Sequence, residues 1–165
     1  MLTPVIQIDQ ITQDPNTWIA SAPFRAHVTH LMQKAQVPWP IIAYQAGVPQ
    51  STVRTLLYGR DGKHRPKIVQ SSAVRLLELR PEDLTWMRIS QVSAEHTGTR
   101  IRCLRTLNVP WDNISNFLTL DEETCQALAR GERTSCSVMV DILAQCACAQ
   151  AGVESWDDLD EQDSL

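Results

Sequence analysis

Between residues 50 and 67 the chain gathers side chains suited to holding a nucleic acid. Gln50, Ser51, Arg54 and Thr55 fall at helical spacing that leaves them on one outward face, while Val53 and Leu56 anchor the opposite face. A glutamine amide can bond adenine bidentately, an arginine can take guanine or phosphate, and hydroxyls adapt to either. These residues sit at the N-terminal end of the helix, the part that reaches base edges when such a helix enters a major groove. Directly afterwards comes Arg60-Asp61-Gly62-Lys63-His64-Arg65-Pro66-Lys67. Its Arg60, Lys63, Arg65 and Lys67 are placed to meet phosphates flanking that helix.

Other chemistry is poorly represented. No Gly-rich phosphate loop, nucleophile elbow or paired-carboxylate motif is present, so no catalytic residue and no enzymatic activity is expected. The histidines (His27, His30, His64, His96) share no metal-ligand spacing. The cysteines (Cys103, Cys125, Cys136, Cys146, Cys148) form no Cys-x-x-Cys pair. Each cysteine lies in a stretch with helical patterning, where it is expected to act as a small buried apolar residue. Neither metal nor cofactor is therefore expected.

The elements that must position the outward face are helices. Phe24, Val28, Leu31 and Ala35 form one stripe of a helix over residues 23–35. Val37-Pro38-Trp39-Pro40 breaks the chain and starts a second helix over about 40–46. Gly47 supplies the tight turn, and Pro49 opens a third helix that Gly59 ends. A fourth helix covers 70–79, with Ala73, Leu76 and Leu77 inward. No alternating strand pattern is evident, although residues 5–8 (VIQI) could be extended. Val37-Pro38-Trp39 recurs as Val109-Pro110-Trp111, and continuing at this offset of 72 gives seven identities in 23 positions. A second copy of the unit is therefore expected. It has helices over 98–107 (Ile101, Leu104 and Leu107 inward), 111–118 and about 121–130, and a last helix capped by Ser135 or Cys136 that buries Met139, Ile142, Leu143 and Cys146. Trp39 and Trp111 are expected to be buried against the first helix of their copies.

The fold class predicted is all-α: two tandem helix–turn–helix bundles joined by a short linker. The divisions are an N-terminal extension (1–20), a basic domain (21–80), a linker (81–97), a degenerate acidic domain (98–150) and an acidic tail (151–165). Within the linker, Trp86, Met87 and Ile89 are expected to pack against one domain.

Charge separates the two copies. Residues 21–80 carry nine Lys/Arg against Asp61 and Glu78, or +7, while residues 81–165 carry six Arg against fifteen acids, or −9. Such asymmetry points to a polyanion partner for the first half and a different task for the second. Where the first copy has Pro49-Gln50-Ser51 the second has Asp121-Glu122-Glu123, which suits a helix dipole but repels phosphate. Arg100, Arg102 and Arg105 are left as possible contacts to a nucleic-acid backbone.

The residues PWPIIAYQAGVPQSTVRTLLYGR, then KIVQSSAVRLLEL, and further on TGTRIRCLRTLNVPW, resemble the helix–turn–helix DNA-binding proteins of actinobacteria and their phages, of lambda-repressor-like architecture. The similarity covers about residues 22–149 and is more specific in the first copy. It implies that Gln50, Ser51 and Thr55 read bases, with Arg54 and Thr52 near phosphate or the groove edge. Members include regulators and phage immunity repressors.

The leading expectation is a sequence-specific, double-stranded DNA-binding transcriptional regulator of repressor type. The alternative is a protein-interaction adaptor or antitoxin-like module acting through residues 98–165, which could also bind a second copy of the chain. The longest apolar runs are four or five residues and the first twenty residues hold no Lys or Arg, so neither a membrane span nor a signal peptide is expected. The expected location is the cytoplasm, on the nucleoid, or the host cytoplasm for a phage protein.

Overall fold

The structure, a computed structural model, describes residues 14–152. The chain forms two units, Met1–Trp86 and Met87–Leu165. In the first, β1 (Trp18–Ala20) leads into α1 (Ala22–Ala35), α2 (Trp39–Ala46) and α3 (Gln50–Tyr58). After these come β2 (Lys67–Val69), α4 (Gln70–Glu78) and α5 (Glu82–Thr85). In the second, β3 (Gln91–Ser93) leads into α6 (Glu95–Thr106), α7 (Trp111–Leu118) and α8 (Glu122–Ala129), followed by β4 (Ser135–Ser137) and α9 (Val138–Gln150).

The all-α expectation is therefore corrected: the chain is mostly helical, but each unit also holds a two-stranded antiparallel ribbon. β1 pairs with β2 through Trp18–Val69, Ile19–Ile68 and Ala20–Lys67, and β3 with β4 through Gln91–Ser137, Val92–Cys136 and Ser93–Ser135. Three residues are too few to display the alternation that marks a strand, and each strand's partner lies more than forty residues away. The extended reading of residues 5–8 lies outside the described residues.

The helical stripes follow the periodicity. Phe24, Val28, Leu31 and Ala35 are all buried, as are Ile41, Ile42, Val53, Leu56, Ala73 and Leu76. Leu57, Leu77 and Met139 are only half-buried, and Leu107 is 48% exposed because α6 ends at Thr106. α6 begins at Glu95 rather than Gly98. Gly98 is a close-packing residue inside it, since a Cβ there would sit 2.5 Å from the Leu128 carbonyl oxygen. The last helix is capped not by Ser135 or Cys136 but by Ser137, the final residue of β4, whose Oγ accepts from Val140 N. Most of the stretch read as a linker is structured, containing α5, a 3₁₀ turn at Trp86–Arg88, β3 and the start of α6. Of its apolar residues Met87 is buried, while Trp86 and Ile89 are exposed. Trp39 and Trp111 are only partly covered.

The two units repeat each other in detail. α2 and α7 align at the offset of 72, and so do the left-handed residues Gln36 and Asn108, Gly47 and Thr119, and Gly59 and Gly131. From the second strand onward the offset falls to 68. Seven residues (60–66) separate Gly59 from β2, whereas three (132–134) separate Gly131 from β4. The first copy thus carries four extra residues at this point.

Gly47 and Thr119 end their helices in the same way. Val48 N donates to Ala43 O at 3.0 Å, and Leu120 N donates to Ser115 O at 3.1 Å. Both positions have positive φ, +67° and +56°, which a β-branched threonine adopts only with strain. Thr119→Gly should therefore stabilise the second unit by about 0.5–1 kcal/mol, read as a higher urea midpoint. Gly47→Thr should destabilise the first unit. A lower midpoint for Thr119→Gly, or a higher one for Gly47→Thr, would contradict this account.

Candidate nucleic-acid interface

α3 owes its orientation to two features. Val53 and Leu56 turn its inner face into the core, and Gly47 with Val48 sets the turn from α2. A guanidinium then fixes its far end: Arg25 Nε on α1 donates to Leu56 O at 2.7 Å, filling one of the carbonyls a helix C-terminus leaves open. The same side chain reaches Ser21 Oγ at 3.4 Å and Arg65 O at 3.5 Å. Ser21 itself donates from Oγ to Arg65 O at 2.5 Å and from its backbone N–H to Pro66 O at 2.9 Å. The basic segment after α3 is therefore tied to the start of α1.

That segment is more ordered than a charged loop. Arg60 N donates to Lys63 O at 2.9 Å and Lys63 N donates to Arg60 O at 3.1 Å, closing a hairpin over Asp61-Gly62. Both turn residues have positive φ, +54° and +74°, as a type I′ turn requires. Gly59, at φ +74°, lies so close beneath it that a Cβ would meet Lys63 O at 2.2 Å.

The expected site residues fall into two groups. Ser51, Thr52, Thr55, Arg60, Arg65 and Lys67 line one cleft of about 200 Å³ between α3 and the β1–β2 ribbon. Leu56 and Ile68, each 5% exposed, also line it, and Trp18 of β1, 55% exposed, forms part of its wall. Arg54 and Lys63 lie outside the cleft, exposed. Gln50, the first residue of α3, is half-buried, as are Thr52 and Thr55, so all three are less outward than Ser51 and Arg54. The outer face of α3 continues instead to Tyr58, 59% exposed, which was overlooked. Its signal was available: it stands four residues after Arg54 and seven after Ser51.

The cations of the two units meet different fates. Among the described residues, Arg54, Arg60, Lys63, Arg65 and Lys67 form no ion pair, and all five are exposed. The arginines of α6 are hydrogen-bonded inside their own unit, Arg100 buried and Arg102 and Arg105 exposed. Arg100, 6% exposed, donates through Nη1 to Asp141 Oδ1 at 2.8 Å, and Thr97 Oγ1 donates to the same oxygen at 2.8 Å. Arg102 donates to Ala129 O at 2.7 Å, doing for α8 what Arg25 does for α3. Arg105 donates to Val109 O at 2.8 Å, with its guanidinium 4.9 Å from the Trp111 ring centre.

At the start of α8, Asp121 is the N-cap. Its carboxylate accepts from Thr124 N at 3.0 Å and from Thr124 Oγ1 at 2.6 Å. These bonds hold its carboxyl below the usual carboxylate range. Glu122 and Glu123 occupy the first turn, where the helix dipole favours them.

Cys125, Cys136, Cys146 and Cys148 are buried and Cys103 partly so; Cys136 lies in β4 rather than in a helix. Burial pushes the thiols of Cys125, Cys146 and Cys148 up to about 11, leaving them as inert thiols at neutral pH. Among the described residues, no group of three or more His, Cys, Asp or Glu side chains is arranged to hold a metal ion.

Gly59→Ala should disrupt the hairpin, combining a backbone clash with an unfavourable φ, at a cost of about 1–3 kcal/mol. Gly62→Ala, in open space at φ +74°, should lose less. Urea denaturation checks the order; Gly62 as the more sensitive position would contradict the packing described. No protein-family model matches this chain, and neither a curated protein nor a solved structure matches it.

Proposed function

We propose that this chain is a sequence-specific, double-stranded DNA-binding transcriptional regulator of repressor type, related to the actinobacterial and phage proteins that its first copy resembles. One observation carries the reading. Five exposed cations surround the outward face of α3 with no ion-pair partner among the described residues, while each arginine of α6 in the repeated unit has a hydrogen-bond acceptor within that unit. A fold that can be built without such free charge has no structural need for it. Hydroxyls on Ser51 and Thr55, with Arg54 and Tyr58 beside them, then supply base-edge contacts, and Arg60, Lys63, Arg65 and Lys67 the phosphate contacts.

The second unit takes a different role in this proposal. With Glu122 and Glu123 on its first turn, α8 would set carboxylates against the phosphates and carbonyl acceptors of a major groove. It is assigned to protein contact, with a partner or a second copy of the chain, in a cytoplasmic setting. Among the described residues no helix is long and apolar enough to cross a membrane.

Duplex binding by the full chain should be steeply salt-dependent. Four neutralised phosphates, those met by Arg60, Lys63, Arg65 and Lys67, correspond to a log–log slope of roughly −3.6. Arg54→Ala and Thr55→Ala should each lower preference for a selected site by about 1–3 kcal/mol, whereas Lys63→Ala should weaken all sequences alike. Mobility-shift titrations at several salt concentrations read both quantities; a flat salt dependence contradicts the proposal. Glu122→Gln with Glu123→Gln, leaving the Asp121 cap intact, should keep site preference unchanged, and its loss would show that α8 reads bases.

A further inference from the structure

The cleft beside α3 has a consequence for how a duplex would be held. An α-helix with its side chains is about 10–12 Å across and the B-DNA major groove about 12 Å wide. A helix seated in that groove fills it. Whatever flanks α3 within its own unit must then face the groove wall, which is the sugar–phosphate backbone, rather than the floor. On one side of α3 that flanking element is the β1–β2 ribbon with the Arg60–Lys63 hairpin.

We infer that this cleft seats the sugar–phosphate backbone of one DNA strand, with Arg60, Arg65 and Lys67 on its phosphates and the Trp18 indole against a deoxyribose. The inference rests on the DNA-binding reading of α3 and adds to it a second, ribbon-borne contact surface. Its chemistry matches a backbone in each part. Three guanidinium or ammonium groups supply charge, the hydroxyl of Thr52 supplies a donor to phosphate oxygens, and the exposed indole supplies an apolar face. The volume of about 200 Å³ is below the roughly 300–1,000 Å³ usual for sites that enclose a free small molecule. A phosphodiester passing through fits better than a nucleotide effector held inside.

The second unit serves as an internal control. It has the same ribbon and the same three helices before its second strand, yet the features of the cleft are largely gone. Trp18 corresponds to Gln91, Ser51 to Glu123 and Lys67 to Ser135, and the four extra residues that form the hairpin are missing. Of its polar residues, Arg65 keeps a counterpart in Arg133 and Thr52 in Thr124. The ribbon itself is needed to close the fold; the charge, the indole and the hairpin are not. They are additions to one copy.

The test uses the full-length chain and a duplex site selected from random sequence, scanned with single methylphosphonate substitutions that remove the charge of one phosphate at a time. For the wild-type chain, a short run of phosphates on one strand, beside the base pairs read by α3, should show weakened binding when neutralised. Arg60→Ala and Lys67→Ala should abolish the sensitivity within that run and make the salt slope shallower by roughly 1 each. Trp18→Ala should weaken binding without changing the slope. Lys34→Ala is the charge-matched control; it lies near the far end of α1, about 20 Å along the helix from Ser21, and should leave the phosphate pattern intact. Circular dichroism confirms that each variant is folded. Wild-type sensitivity that survives both cleft substitutions unchanged would overturn the inference while leaving the DNA-binding reading standing. Failure of the wild-type chain to select or bind any duplex would overturn both.

Discussion

Each unit is closed by an antiparallel ribbon of three residues per strand, and most of the other features depend on that closure. In the first unit Ile19 and Ile68 face each other across it, both 5% exposed, and burying such side chains is worth roughly 1.5–3 kcal/mol each. The pairing brings the chain entering α1 beside the chain entering α4. Further backbone bonds extend it, from Gln70 N to Thr17 O at 2.8 Å and from Ser71 N to Pro15 O at 3.0 Å. Without this closure the segment after α3 would have no fixed place relative to α1, and Ser21 and Arg25 could not hold Arg65 and Pro66. The position of the basic residues therefore follows from a neutral contact between backbones.

Arginines do two kinds of work in this chain, and their hydrogen-bond partners distinguish them. Arg25 and Arg102 each reach from the first helix of a unit to the carbonyls that end the third, at 2.7 Å in both cases. Arg75 does the same for the turn after α2, donating to Gly47 O at 2.7 Å. Such bonds spend a guanidinium on the main chain, where a charged donor is stronger than a neutral one. Arg100 is paired with a carboxylate instead, in a site where removing either partner would strand the other charge. The exposed cations around α3 have none of these duties. Their charge is available to a ligand because the fold does not use it.

The comparison of the two copies also separates fold from site. Both have first three helices of nearly the same length, left-handed residues at equivalent positions and the same strand register. They differ on the outer surface of the third helix and in the loop that follows. At Thr119 the second copy accepts a strained φ that the first avoids with Gly47. At the helix start it replaces outward polar groups with carboxylates that cap the helix through Asp121 and Thr124. These are local changes, each absorbed within a turn, and none disturbs the shared apolar stripes.

By itself the sequence determined the helices, their inward stripes, the duplication and the concentration of positive charge in the first copy. All are local or additive properties: a period of 3.6, a proline or glycine at a boundary, a count of charges. It also made Ser51, Arg54 and Thr55 legible as an outward face, because neighbours on one helix are set by spacing alone. The tertiary structure decided what depends on distant partners. The ribbons pair residues about fifty positions apart in one unit and forty-five in the other, and three residues carry too short a pattern to announce a strand. Arg100 and Arg54 look alike in sequence; one is buried with Asp141 as its partner, and the other is exposed on the outer face of α3, with no ion pair among the described residues. Lys67 and Trp18 became parts of one cleft only when β1 and β2 were joined, since long-range contact is a property of the folded chain and has no period to read.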